Sequence, residues 1–450
     1  MDLFGTAGIR GPVSEFLTPS LALSVGRSAA VDGGEFVLAR DGRETGPALA
    51  AAVEAGLESG GATVERAGQL PTPALAFVSR GRRGIMITAS HNPPLDNGLK
   101  LFVDGREYDA TAEGRIEERV DDGIAPVDWD RWGAGTDVDV LSTYRDAVVK
   151  YAETLGGSPA NLTVAVDCGN GVASLATPQV LRRLGADVRA LNANVDGHFP
   201  GRESKPTPES LADLRAFVAD GGAHLGIGHD GDADRIVLVD GDGGVVHEDT
   251  VLAILAERYV RNSDAADPVV LTTPNASTRI DERVAAAGGR TDRVALGALH
   301  EGLARVRAEG GPGTRVVFAA EPWKHVHPAF GDWIDGVVSA AVLVRLVAAD
   351  GLPALRDPIA ERPYRKESVT CPDDAKADAM AALETALPET FPEATVDTDY
   401  GVRLSFPDAA WILVRPSGTE PYVRVYAESD DVDALVGEAV ATIERVIESS

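Results

Sequence analysis

The chain has 450 residues, 44% of them hydrophobic, which is enough for several packed domains and excludes a wholly disordered chain. Its formal net charge is −28 and no basic patch interrupts the acidic surplus, so nucleic acid and anionic membranes are not expected partners. No apolar run reaches 18 residues, the opening MDLFGTAGIRG lacks the form of a signal peptide, and Cys168 and Cys371 form no CxxC pair, so a reducing, cytoplasmic setting is expected.

Only six of the 42 basic residues are lysine. An acid excess with few lysines repels itself at low salt and is screened at high salt, which points to a salt-rich cytoplasm such as a halophile's.

In chain order, the N-terminal FGTAGIRG (4–11) is Gly-rich and carries Arg10 as a candidate supporting arginine; the bland reading is a flexible leader. EFVLAR (35–40), ATVERAG (62–68) and GIMITAS (84–90) read as strands, with a helix from Pro47 to Ser59. The last strand runs into TASHNPPLDNGLK (88–100), where two prolines stop any helix and Ser90 stands at a strand end. Alpha/beta proteins place ligands at such ends, and a serine hydroxyl there becomes a nucleophile once a base or metal activates it. His91 and Lys100 are the candidate partners; the bland reading is an Asn-Pro turn with a capping serine.

The rhythm then restarts. LTVAVDC (162–168), ADVRAL (186–191) and HLGIGHD (224–230) read as strands, alternating with helices over 177–185 and 208–221. HDGDADR (229–235) sets Asp230, Asp232 and Asp234 at alternate positions, a donor set for a hard divalent cation, with Arg235 beside them to neutralise phosphate. An EF-hand is excluded, because its sixth and twelfth places hold Arg235 and Gly241. A third round follows, with helices over 250–260 and 279–287 and strands over 268–273 and 314–321.

The tail differs. After Pro363 come an Ala-rich helix (374–387), β runs at 401–406, 411–416 and 422–429, and a helix over 432–447, which make a small α+β domain. Between two of those runs, RPSGTEP (415–421) offers Arg415, Ser417, Gly418 and Thr419 as an anion nest fit for phosphate. Cys168, Trp129, Trp132, Trp333 and Trp411 are read as packing residues; His198, His224 and His247 show no ligand spacing.

TASHNP, DGDADR and RPSGTEP, in this order, resemble the α-D-phosphohexomutase family of phosphoglucomutases, phosphomannomutases and phosphoglucosamine mutases, over essentially the whole chain. The resemblance implies three similar mixed α/β domains plus a smaller C-terminal α+β domain around a central cleft. The expected bounds are 1–150, 151–248, 249–358 and 359–450. It implies a phosphoserine at Ser90, one Mg2+ on Asp230, Asp232, Asp234 and the Ser90 oxygen, and a clamp on the non-reacting phosphate at Arg415, Ser417, Gly418 and Thr419. Arg10, His91, Lys100 and Arg235 match positions that bind the transferring group or move protons. Lys100 is the expected shuttle, which requires neighbouring cations to lower its pKa. A sugar bisphosphate is the expected activator, a sugar phosphate the partner, and monomer or homodimer the assembly.

Two segments depart from the family pattern. Where the family reads GExSGH, AEPWKHVHP (320–328) keeps Glu321 but brings Trp323 and Lys324; His325 aligns with the motif histidine, and His327 is the alternative. Trp323 either stacks on a sugar or plugs part of its pocket. VALGALHEG (294–302) lacks the family's Val-Gly-Asp acid, leaving His300 or Glu301 to substitute. Sugar identity is therefore open between a hexose or hexosamine and a pentose phosphate. A Mg-dependent phosphatase using Asp230 as nucleophile and an inactive sugar-phosphate sensor are the rival classes.

Overall fold

The computed structural model describes residues 3–5, 8–417 and 420–449. The chain forms two compact units: Met1–Val251 with Phe318–Leu355, and Leu252–Val317 with Arg356–Ser450.

The first unit opens with an eight-stranded mixed sheet. Its centre is Glu35–Arg40, whose buried FVLA run pairs in parallel with Thr63–Gln69 and Arg83–Ile87. A strand buried on both faces reads as a continuous apolar run, which is why EFVLAR is legible in the sequence. Arg83–Ile87 pairs antiparallel with Asp96–Val103, and that strand with Gly8–Pro12. TASHNPPLDNGLK is thus a hairpin connection as far as Leu95 and a strand from Asp96, which places Lys100 beside Met86 and Arg10 beside Gly98.

A second sheet centres on Thr163–Asp167, parallel to Asp187–Leu191 and Leu225–His229. Leu225–His229 then pairs antiparallel with Ile236–Val239 in the register His229↔Ile236, so the Asp-rich segment is the tip of a hairpin. The expected helix over 208–221 is shorter: Ala212–Phe217 is α-helical and Val218–Gly222 is a π turn broken inside at Gly221, φ 82°.

Phe318–Leu355 completes the unit. The end of strand Thr314–Glu321 pairs with Lys324–Val326 through a two-residue turn, Pro322–Trp323, with Trp323 at φ 69°. Helix Gly336–Asp350 is capped by Asp335 and buries residues on every side. A helix apolar all round shows no polar face, so periodicity did not reveal it.

In the second unit Asp267–Thr272 runs parallel to Arg290–Arg293. The tail is a five-stranded antiparallel sheet covered by helices Lys376–Thr390 and Val432–Ser449, with Leu383, Leu387, Val414, Val425 and Ile443 among its core. Buried Arg279 and Glu428 meet there at 2.6 Å. Trp333 and Trp411 are buried as expected, but Trp129 and Trp132 are 89% and 53% exposed and pack into no core. No helix among the described residues is long and apolar enough to cross a membrane.

Candidate active site

Ser90 lies just past strand Arg83–Ile87, fully buried, in the left-handed region at φ 51°. A non-glycine residue there costs about 1–2 kcal/mol, so its surroundings must impose it. Its N–H donates to Thr88 Oγ1 at 2.8 Å, and its Oγ donates to Asp230 Oδ2 at 2.6 Å. His91 Nδ1 stands 3.4 Å from the same Oγ. The hydroxyl is therefore set against the carboxylates.

The hairpin tip curls so that Asp230, Asp232 and Asp234, all buried, bring carboxylate oxygens within 4.8 Å of one another. Gly231 permits the close approach of the two loops: a Cβ there would sit 2.7 Å from the Ser90 carbonyl oxygen. Asp232 Oδ2 accepts from Thr72 Oγ1 at 2.7 Å and Thr88 Oγ1 at 3.2 Å. Asp232 Oδ1 and Asp234 Oδ1 are buried without any hydrogen-bond partner. Orphaned buried acceptors cost about 1–3 kcal/mol each, and three crowded carboxylates repel. Burial, with Asp234 and Asp232 alongside, pushes the Asp230 carboxyl well above its ordinary range. Hard oxygen donors left unsatisfied around one point fit a divalent cation.

Cations border the triad. Lys100 Nζ lies 2.8 Å from Asp234 Oδ2 and 3.8 Å from Asp232 Oδ2, and Arg235 Nε lies 3.7 Å from Asp234 Oδ1. Burial raises the Asp234 pKa, but Lys100 and Arg235 more than offset it and hold the group ionised. For Lys100 the expectation is overturned. Burial lowers its pKa, but Asp234, Glu107 and Asp232 outweigh burial and raise it, so Lys100 stands as an ammonium. His91 is instead held neutral: burial first, then Arg235 and Arg10, bring its pKa down to about 3. Arg10 Nε is buried without a hydrogen-bond partner.

The turn that departs from the family pattern sits against this centre. Lys324 forms an antiparallel bridge with Arg235, and its Nζ is 3.2 Å from Glu321 Oε2. Trp323 is partly buried against the cluster of Ala165, Leu211, Leu214, Val218 and Val237. Its packing is with the protein interior. His325 was expected at the sugar, and the structure corrects that. Both His325 and His327 are 1% exposed, with Nδ1 and Nε2 respectively on Ser339 Oγ at 3.0 and 2.9 Å. Alternation along the strand and the missed buried helix explain the error.

In the second unit Arg415 lies next to the end of strand Trp411–Pro416, and buried Ser417 follows the strand. Gly418 and Thr419 lie outside the described residues. Lys376 Nζ donates to the carbonyls of Ser417 and Glu420 at 2.8 and 2.6 Å. His300 and Glu301 stand in the first turn of helix Leu299–Glu309.

Sequence reasoning missed Asp41, Arg43, Thr72 and Thr88, all buried. Their signal was weak: Asp41 and Arg43 follow a strand end, and Thr88 precedes Ser90 by one alternation. Cys168 is buried as expected, with burial and then Asp167 opposing its ionisation.

A buried serine on a carboxylate triad that could hold a metal ion, bordered by cations at the loop ends of α/β sheets, fits a phosphoryl-transfer enzyme. The sequence matches phosphoglucomutase/phosphomannomutase domain I over residues 1–125, domain II over 142–243 and the C-terminal domain over 368–445. It is 41% identical to a phosphopentomutase of Thermococcus kodakarensis, over 100% of this chain and 99% of that protein. It is 39% identical to a probable phosphoglucosamine mutase of Methanopyrus kandleri, over 99% and 98%. A phosphoglucomutase/phosphomannomutase family structure from Burkholderia thailandensis superposes with a TM-score of 0.86 at 26% identity, covering 99% and 97% of the two chains. The chain belongs to the α-D-phosphohexomutase family and is a phosphosugar mutase, an intramolecular phosphotransferase.

Proposed function

We propose that Ser90 is the phosphoryl carrier. The observation that carries this is the 2.6 Å contact of its Oγ with Asp230 inside a triad holding two unsatisfied buried oxygens. Magnesium on Asp230, Asp232, Asp234 and the serine oxygen would draw charge off the transferring group. The phosphoserine P–O bond breaks as a sugar hydroxyl forms the new one, and the proton of that hydroxyl ends on Ser90 Oγ. Neutral His91, 3.4 Å from Oγ, relays it. Lys100, Arg235 and Arg10 stabilise the equatorial oxygens. The bisphosphate then turns over, and Ser90 takes the other phosphoryl while its proton returns to the sugar. A sugar bisphosphate primes the serine. Arg415, Ser417, Gly418 and Thr419 hold the phosphate that is not reacting.

The substrate is a hexose or hexosamine phosphate, exchanged between its 1- and 6-phosphates and read at Glu321 and Lys324. The second reading, a pentose phosphate, is favoured by the full-length likeness to the Thermococcus phosphopentomutase. The acidic surplus supports a cytoplasmic, salt-adapted protein with no nucleic-acid or membrane partner, working as a monomer or homodimer. Coupled assays over glucosamine, glucose, mannose and pentose phosphates test the reading. One sugar class should be turned over, and Ser90→Ala should lose about 10⁴-fold or more in kcat; near-normal turnover in Ser90→Ala would overturn it.

A further inference from the structure

Beneath the serine loop lies an arginine that the chemistry above does not use. Arg43 is fully buried, and all five of its guanidinium N–H groups are spent. Nε donates to Asp41 Oδ2 at 3.1 Å. Nη1 donates to the carbonyls of Pro93 and Asp96 at 2.6 and 2.9 Å, and Nη2 to those of Ser90 and Asn92 at 2.9 and 2.8 Å. Four carbonyls of residues 90–96 thus converge on one planar cation. Asp41 Oδ2 also accepts from Thr88 Oγ1 at 2.7 Å, and Thr88 Oγ1 accepts the Ser90 N–H at 2.8 Å. Ser90 is therefore gripped at its N–H through Thr88 and at its C=O by Arg43, in the left-handed conformation that aims Oγ at Asp230.

We infer that Arg43, braced by Asp41 and Thr88, is the positioning residue of the phosphoryl carrier: it keeps Ser90 in one strained conformation through both transfers. Its role is geometric, since its charge is turned to backbone oxygens and to Asp41. The inference rests on Ser90 being the carrier. Lysine cannot substitute, because three donors on a point charge do not span four carbonyls and a carboxylate.

The test measures Ser90 phosphorylation by a sugar bisphosphate, and mutase kcat and KM, in Arg43→Lys. Arg279→Lys, at another buried ion pair, controls for general loss of stability. A misplacement of about 1 Å costs about 10²-fold, so Arg43→Lys should lose roughly that in kcat and in phosphorylation rate per folded molecule, with KM within about threefold. Arg279→Lys should keep the parental rate per folded molecule. A rate within about threefold of the parent in folded Arg43→Lys, or equal losses in both variants, would overturn the inference. If Arg43→Lys does not fold, Thr88→Val, which removes the Ser90 N–H acceptor, is read by the same criteria. Ser90→Ala separates the readings: if it stays active, the carrier assignment fails; if it is dead while Arg43→Lys and Thr88→Val are normal, only the brace fails.

Discussion

Two hairpin turns meet at the site, bridged by Arg235 and Lys324, and they differ in what their side chains do. The turn from His229 to Ile236 directs three carboxylates to one point and leaves two oxygens unsatisfied. The turn from Glu321 to Lys324 sends Trp323 into an apolar cluster, with His325 buried just beyond, and leaves only Glu321 and Lys324 beside the charges. The first turn holds electrostatic cost for function, and the second is mostly packing. Variation of residue type in the second can therefore change stability without changing the phosphoryl chemistry.

Substitutions separate the two. Asp232→Asn should lower kcat by about 10²–10³-fold, the cost of one misplaced electrostatic partner, while metal-free thermal stability holds or rises because one of three crowded charges is gone. A large drop in metal-free melting temperature would break the contrast. Gly231→Ala places a methyl 2.7 Å from the Ser90 carbonyl oxygen and should cost about 10²-fold in kcat by prying the loops apart. Activity assays with calorimetry read both.

Trp323→Ala should do the reverse: about 2–3 kcal/mol of stability lost, with kcat changed less than about threefold. A tenfold rise in KM without destabilisation would instead put the indole in the sugar site. A pH-dependent effect concerns His325, whose pKa burial brings from 6.5 to about 3. Between those values the unfolded chain binds a proton that the folded chain does not, so stability falls as pH drops through that window. The slope is about 1.4 kcal/mol per pH unit for this group. His325→Gln should flatten the acid limb of the unfolding free energy against pH by that much, and an unchanged limb would contradict a neutral, buried imidazole.

Legibility in the sequence follows the same division. HDGDADR and TASHNP announce themselves because charge chemistry demands particular residues at short spacing, and continuous apolar strands such as EFVLAR are equally plain. Arg43 was hidden because its partners are backbone carbonyls, which leave no pattern in side chains. The Lys100 pKa was misjudged because the sequence does not show that its ammonium stands 2.8 Å from Asp234 and 3.7 Å from Glu107. His325 was misplaced because its burial depends on helix Gly336–Asp350, whose uniform apolarity carries no period.

The most direct measurement is to locate the phosphate after incubating the Mg2+-loaded protein with a sugar bisphosphate and digesting it for mass spectrometry. Phosphate should appear on Ser90, in the peptide containing His91 and Asn92. Phosphate on Asp230, or on neither residue in a protein that turns over sugar phosphates, would contradict the account.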